Sequence, residues 1–283
     1  MSLLDLLNQD FARNALLAGA IVAVVSAVVG YFVVLRAQAF AAHALSHIGF
    51  AGATGAALLH LDALVGMFAL TLLAAAGMGS LGARIRGRDV EIGMVLSLAL
   101  GLGVLFLSLY TNSASETVGV LFGSILSVTP RAVQITLITG AGILIGLGII
   151  WRPLLFASID PEVARARGVP VRALGVVFLL LLALAVAQAI QVVGVLLLFA
   201  LLVAPAATAA QLVRRPFATV GLAIALSLAW TWGGLLLAFT SRWPVSFAIA
   251  ALAGCAYFAA GGIRRWRVPR RYHAPPHPTR EYP

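Results

Sequence analysis

Lysine is absent from this sequence of 283 residues, and all 19 of its basic residues are arginine. A phosphate-binding loop of the G-x-x-x-x-G-K type requires a lysine that reaches the nucleotide phosphates. The chain therefore contains no such loop. If ATP hydrolysis drives this protein, another chain must carry out the hydrolysis.

Cysteine and charged residues are also scarce. The single cysteine, Cys255, excludes an intramolecular disulfide and a thiolate cluster, and because it lies in an apolar run we interpret it as a small core residue. Only 10% of the residues are charged. The arginines form short clusters between apolar runs, which is typical of membrane topology signals and argues against nucleic acid as a partner.

Apolar residues dominate what remains, at 62% of the chain, with a mean hydropathy of +1.05. Several runs of about 20 apolar residues follow one another, the length that crosses a hydrocarbon layer roughly 30 Å thick. This pattern predicts an all-α polytopic membrane protein with about nine transmembrane helices, or about eight to ten, embedded in a lipid bilayer. Residues 1–263 form a single transmembrane domain, and residues 264–283 form a basic, proline-rich tail that we expect to be disordered.

The predicted spans are separated by arginines, prolines and short polar turns. The apolar block at residues 173–213 is too long for one span, so it should divide near residues 188–194, where its polar side chains fall. In its second half, Pro205 should kink or break the helix by clashing with the carbonyl of Leu201. Residues 117–128 are apolar but too short to cross, which predicts a re-entrant or interfacial helix. The nine spans are residues 14–35, 39–60, 64–83, 90–110, 132–150, two within 173–213, 217–239 and 245–262.

Arginine is distributed unequally between alternate loops. Sixteen arginines fall on one side of the predicted bilayer, and Arg13, Arg131 and Arg242 fall on the other. By the positive-inside rule the richer side is cytoplasmic. We therefore expect the N-terminus outside and the C-terminus in the cytoplasm.

A short helix is predicted between the fifth and sixth spans, at about residues 159–168. Asp160 is a good N-cap, the proline that follows fits the first turn, and Glu162 favours the positive end of the helix dipole. Gly168 and Pro170 then end the helix. By the arginine distribution this helix lies in the cytoplasm.

Two histidines within the second span, His43 and His47, are the strongest candidates for a functional site. Their spacing of four residues places both imidazoles on one face of a helix. Titratable groups inside a span are costly, usually face the bundle interior, and indicate function. The competing interpretation is two neutral histidines that are hydrogen-bonded to serines or carbonyls. We favour a metal site, which water, a carboxylate or the same pair from a second subunit must complete.

Three glycines, Gly49, Gly52 and Gly55, lie on the face of this helix that is turned away from the histidines. Small residues let another helix approach closely, so this face should pack. A metalloprotease of the H-E-x-x-H type is a poor alternative, because the position of the general base is Ala44.

Other histidines and acidic residues remain weaker candidates. His60 lies off the ligand face and near the outer boundary, and Glu116 lies in a polar loop; both are interpreted as ordinary boundary or loop residues. His273 and His277 repeat the four-residue spacing in the tail, but two intervening prolines exclude a helix there. Scavenging of metal by the tail remains an alternative interpretation.

Four segments in order along the chain carry a resemblance. They are Ser46–His47 within ALSH, LFGSILSV at 121–128, IDPEVARARGVPVR at 159–172 and VVGVLLLFALLVAPAATA at 192–209. Together they resemble the permease subunits of ATP-binding-cassette importers for zinc and manganese, along nearly the whole chain.

This resemblance implies a machine of several subunits in a bacterial or archaeal plasma membrane. The permease would dimerise, most simply with a second copy of itself, and two separate ATPase subunits would bind and hydrolyse ATP. An extracytoplasmic metal-binding protein would deliver Zn²⁺ or Mn²⁺, which is transported and not kept as a cofactor. The helix at residues 159–168 would dock on the ATPase, with Asp160, Glu162, Arg165 and Gly168 as its coupling residues, and Pro205 would serve gating.

The chain departs from the family pattern at the site itself. The family commonly has D-A-x-S-H in the second span, and the aspartate position is occupied here by His43. An imidazole in place of a carboxylate removes a hard oxygen ligand, which favours zinc over manganese, with iron less favoured. It also makes the site sensitive to pH, because protonated imidazole does not bind metal. An ion-gradient-driven metal transporter and a permease of the cobalamin or siderophore type remain as alternatives.

Overall fold

A computed structural model describes residues 9–80, 89–109, 125–241 and 243–267. Every regular element in these ranges is helical. The described residues form ten α-helices: α1 (Asp10–Leu35), α2 (Ala39–Leu58), α3 (Ala63–Ser80), α4 (Asp89–Leu109), α5 (Pro130–Ile159), α6 (Pro161–Ala166), α7 (Val171–Leu202), α8 (Ala204–Leu212), α9 (Pro216–Ser241) and α10 (Val245–Arg267), with a single 3₁₀ turn at Ile125–Ser127.

Seven segments of the described chain are long and apolar enough to cross a membrane. They comprise α1, α3, most of α4, α5, α9, most of α10, and the 42 residues of Val171–Leu212. The 20-residue helix α2 is less apolar because it carries the two histidines and several small or hydroxylated residues. The prediction of an all-α polytopic membrane protein is confirmed.

The first part of α7 runs away from the end of α1. Near its start, Gly175 lies beside Arg36, whose Nη2 is 3.6 Å from the position that a Cβ would take. Farther along, Gln188 and Val25 both pack at Gly140 in α5. The direction of this first limb of α7, up to residue 193, is therefore opposite to that of α1.

At Gly194 the chain turns back. Its φ of 80° and ψ of 169° lie outside the helical region and are accessible chiefly to glycine. Beyond it, the carbonyl oxygen of Leu202 lies against Gly30, close to the end of α1 again. The second limb, residues 195–202, is continued by α8, so the block at 173–213 divides into two spans within the predicted range. Nine helical segments of the described residues match the nine predicted spans.

Three parts of the structure differ from the prediction. Helix α5 does not end near residue 150 but continues through Pro153 to Ile159, because the burial of Leu154 and Ala157 against the bundle stabilises its last turns. Helix α10 continues to Arg267, so residues 264–267 are helical, and the rest of the tail lies outside the described residues. Cys255 is exposed on α10 and is not a core residue, since an almost wholly apolar helix does not reveal which face is turned inward.

The segment predicted as a re-entrant helix is only partly described. Of the predicted re-entrant helix, the structure describes Ile125–Ser127 as a 3₁₀ turn, and residues 117–124 lie outside the described ranges. The side chains of Ile125 and Val128 are buried in the core.

The core is centred on α1, α2 and α7. In the apolar stretches of α1 and Val171–Leu212, 67% of the residues are buried, against 11–33% in the other candidate spans. Most of α2 is buried too, between α3, α4 and α7. The helix that carries the histidine pair therefore lies inside the bundle.

Candidate metal site

The two imidazoles lie next to each other in the interior of the bundle. His43 and His47 are the fifth and ninth residues of α2, about 6 and 12 Å along the helix from its first residue. Their ring centroids are 4.7 Å apart and the ring planes cross at 87°. Both side chains are half-buried. The pair lies in the half of α2 nearer to Arg36.

The hydrogen bonds near the histidines do not involve the imidazole rings, which leaves the rings available to a ligand. The hydroxyl of Ser46 donates to the backbone carbonyl of His43 at 2.7 Å, so this serine does not bond to either imidazole. The Nδ1 atom of His47 is buried and has no hydrogen-bond partner. A buried polar atom without a partner is costly. An imidazole nitrogen without a hydrogen-bond partner is available to bind a metal ion.

The second limb of α7 closes over the pair from one side. Phe199 meets the ring of His43 edge to face, with centroids 5.7 Å apart. The first limb runs beside α2 a little farther along, where Ile190 packs on Gly49. Next to Ile190, the Oε1 atom of Gln191 is buried without a hydrogen-bond partner. No sequence pattern pointed to Phe199, because its contact depends on the reversal at Gly194.

One chain does not complete a metal site within the described residues. No group of three or more His, Cys, Asp or Glu side chains there could hold an ion. Since a structural zinc site takes four ligands and a catalytic one at least three from the protein, the His43–His47 pair needs further ligands. His60 does not supply one, because it lies past the end of α2, about 20 Å from the pair, and is exposed.

Helix α2 packs tightly on the face away from the histidines. A Cβ on Gly52 would overlap the carbonyl oxygen of Gly66 in α3. A Cβ on Gly49 would lie 2.9 Å from the Cδ1 atom of Ile190, and one on Gly55 would lie 3.1 Å from the ring of Phe106 in α4. The glycine face thus packs against three neighbouring helices: α3 at Gly49 and Gly52, α7 at Gly49 and α4 at Gly55.

Helix α6 is short and well capped. The Asp160 carboxylate accepts hydrogen bonds from the backbone N–H of Glu162 at 3.1 Å and of Val163 at 3.0 Å. At the other end Gly168 has a φ of 79°, the left-handed conformation that ends many helices. Ala164 is fully buried and anchors the helix. Glu162 and Arg165 are exposed to solvent.

Pro205 stands next to a break in the second limb. Helix α7 ends at Leu202, and α8 begins at Ala204 with Pro205 in its first turn, where a proline removes no helical hydrogen bond. The break lies four residues beyond Phe199, the residue that contacts His43. Glu116, His273 and His277 lie outside the described residues.

A bundle of spanning helices with polar groups kept inside it, and a capped helix between two spans, defines a multi-pass membrane protein of the transport class. The chain belongs to the ABC 3 transport family, which matches residues 8–262. The resemblance carried by the four sequence segments is therefore confirmed.

Named relatives transport different metals. The chain is 30% identical over 212 residues to the manganese transport system membrane protein MntC of Halalkalibacterium halodurans, covering 75% of this chain and 73% of MntC. It is 31% identical over 227 residues to the high-affinity zinc uptake system membrane protein ZnuB of Haemophilus influenzae, covering 79% of this chain and 86% of ZnuB. A solved structure of PsaBC from Streptococcus pneumoniae in complex with Fab superposes with a TM-score of 0.82 at 30% identity, over 91% of this chain and 93% of that chain.

Proposed function

We propose that this chain is the permease subunit of an ATP-driven importer of divalent transition metal, and that the ion passes the imidazoles of His43 and His47. The observation that supports this most is the placement of two adjacent imidazoles inside the bundle, one of them with a buried nitrogen that lacks a partner. Membership of the ABC 3 transport family and the metal transporters among its relatives support the substrate class.

A second copy of the chain completes the site in this proposal. The described residues of one chain offer two ligands, and two chains related by a twofold axis would offer four imidazoles. The packed glycine face of α2 is turned to its own bundle, and the second limb of α7 covers His43 from one side. The remaining side of the histidine face is left for the ion path and the partner. Water is the alternative source of the missing ligands.

Zinc is the favoured ion. Two imidazoles without a carboxylate suit zinc better than manganese, which prefers oxygen ligands. The relatives include both manganese and zinc systems, so the preference rests on the identity of residue 43 and not on ancestry.

Energy comes from ATPase subunits that dock on α6. The exposed side chains of Glu162 and Arg165 project from a helix whose ends are fixed by Asp160 and Gly168 and whose underside is anchored by Ala164. A rigid, anchored helix with an exposed charged face transmits the movement of a docked partner to α5 and α7. In the orientation proposed here, α6 faces the cytoplasm, the C-terminus lies on the same side, and an extracytoplasmic protein delivers the metal.

The ion site is tested by His47→Ala in the assembled complex reconstituted in liposomes. We expect ATP-dependent zinc uptake to be lost while the variant still inserts and elutes as a folded complex. The matched control is His60→Ala, which removes an exposed histidine at the end of α2 and should leave uptake unchanged. Normal uptake by His47→Ala would refute the site.

Docking is tested by the charge reversals Glu162→Arg and Arg165→Glu. We expect each to reduce metal-stimulated ATP hydrolysis at least fivefold, because the exposed face of α6 would repel its partner, while Arg152→Glu, an exposed arginine outside α6, keeps it. Unchanged stimulation in the reversed variants would remove the docking role. Uptake by the permease alone, driven by an ion gradient without ATPase, would instead identify a secondary transporter.

A further inference from the structure

A cavity of about 280 Å³ opens at the end of the bundle where α1, α3 and α5 end and α7 begins. Three arginines line it: Arg36 after α1, Arg165 in α6 and Arg172 at the start of α7. None of the three forms an ion pair with a carboxylate in the described part of the chain. The cavity therefore concentrates positive charge that the surrounding protein does not neutralise.

Arg36 is the most constrained of the three. Its Nη1 donates to the hydroxyl of Ser158 at 3.0 Å, and its guanidinium lies 5.6 Å from the ring centroid of Phe178. Its Nε is buried and has no hydrogen-bond partner. Burial lowers the pKa of Arg36 from its ordinary value, since no opposite charge compensates for the lost solvation. A fixed, underbonded guanidinium is suited to an anion with several acceptor oxygens.

A second polar group in the cavity lacks a hydrogen-bond donor. Gln38 is 8% exposed, and its Oε1 is buried without a hydrogen-bond partner. An anion that carries only acceptors would satisfy the arginines and leave this oxygen unpaired. A phosphate with a hydroxylated substituent would serve both, because its oxygens accept from arginine and a hydroxyl donates to Gln38.

The walls indicate where such a phosphate comes from. Apolar surface is contributed to the same cavity by Leu35 and Met78, at the ends of α1 and α3, and by Leu179, about 12 Å along α7. Clusters of arginine at this depth attract the headgroups of anionic lipids. We propose that this cavity binds the phosphodiester headgroup of an anionic phospholipid such as phosphatidylglycerol. The bound headgroup links the end of α1 to α6 and the start of α7.

The proposal is tested on the purified full-length permease, without ATPase subunits, by native mass spectrometry. The protein is exchanged into neutral detergent with equimolar phosphatidylglycerol and phosphatidylcholine. We expect preferential retention of phosphatidylglycerol, reduced at least fivefold in Arg36→Gln and Arg172→Gln. Arg172 is exposed, so its variant keeps the test valid if Arg36→Gln fails to fold. The matched control is Arg215→Gln, an exposed arginine outside the cavity that should retain the lipid.

The remaining outcomes separate the sources of the anion. Equal retention by all variants would overturn the proposal in favour of lipid bound around the whole bundle. If inorganic phosphate displaces the lipid and protects the wild type but not the two cavity variants against heat, the anion site stands with free phosphate as a second ligand. Retention of neither the lipid nor phosphate by the wild type would overturn the proposal. A separate pull-down with the ATPase subunits, in which the cavity variants lost association, would then assign the arginines to a carboxylate of the ATPase. Because metal uptake is not measured, failure here leaves the proposed transport function untouched.

Discussion

The two faces of α2 differ in how closely they pack and in whether their polar groups have partners. On one, Gly52 approaches the backbone of Gly66 so closely that a methyl group does not fit. On the other, His43 and His47 are only half-buried, and a nitrogen of His47 lacks a partner. The packed face holds the helix in place, and in the proposed function the other face keeps polar groups available for the metal ion. Packing on the glycine face offsets the free-energy cost of the unpaired polar group on the histidine face.

The largest effect is expected from Gly52→Ala, which disrupts the packed face of α2. Its new methyl group would overlap the backbone of α3, which cannot move aside as a flexible side chain can. We expect a loss of about 1–3 kcal/mol in the free energy of unfolding, or no folded protein. Thermal unfolding in mild detergent, followed by circular dichroism, measures it.

The control for this substitution is Gly77→Ala in α3. Nothing lies within 4 Å of the position of its Cβ. The same change there should be neutral or stabilise the helix by up to about 1 kcal/mol. If both variants unfolded alike, the close approach of Gly52 to Gly66 would have no part in stability.

A second, intermediate effect is expected on the open face from His43→Asp, which restores the D-A-x-S-H pattern of the family. A carboxylate oxygen beside one imidazole suits manganese better than two imidazoles do. We expect the ratio of manganese to zinc uptake to rise about tenfold, equivalent to about 1.4 kcal/mol. Competition between the two ions in liposomes measures it, and an unchanged ratio would show that residue 43 does not select the metal.

The smallest effect is expected from Gly55→Ala, near the far end of the packed face. The added methyl group would lie 3.1 Å from the ring of Phe106, a side chain that is only partly buried and can shift by a few tenths of an ångström. We expect a change in stability within about 1 kcal/mol, because the helix propensity gained by alanine offsets the tighter contact. A loss as large as that of Gly52→Ala would mean that the face is uniformly rigid.

Local pattern was enough to predict most of the fold and the pairing of His43 with His47. Helix periodicity sets the face on which two residues four positions apart lie, and a polar interruption at 188–194 contained the turn at Gly194. The cap formed by Asp160 likewise depends only on its next few residues.

Features that depend on tertiary packing were not predictable. Pro153 stays helical because distant residues bury the turn that follows it, and Cys255 is exposed although its helix is apolar on nearly all sides. The contact of Phe199 with His43, and the partner of Gly52, require knowing how α7 and α3 return to α2. These contacts produce no periodic pattern in the sequence.

The second limb of α7 lies between two interruptions of helical geometry. Gly194 marks one end and the break at Val203 marks the other, and Phe199 near its middle contacts His43. Phe199 lies about 7.5 Å from Gly194 at the helical rise, so a rotation of about 20° at Gly194 would move the phenyl ring by about 2–3 Å. In the proposed function, such a rotation would uncover one imidazole without moving α2, whose glycines pack against the rest of the bundle.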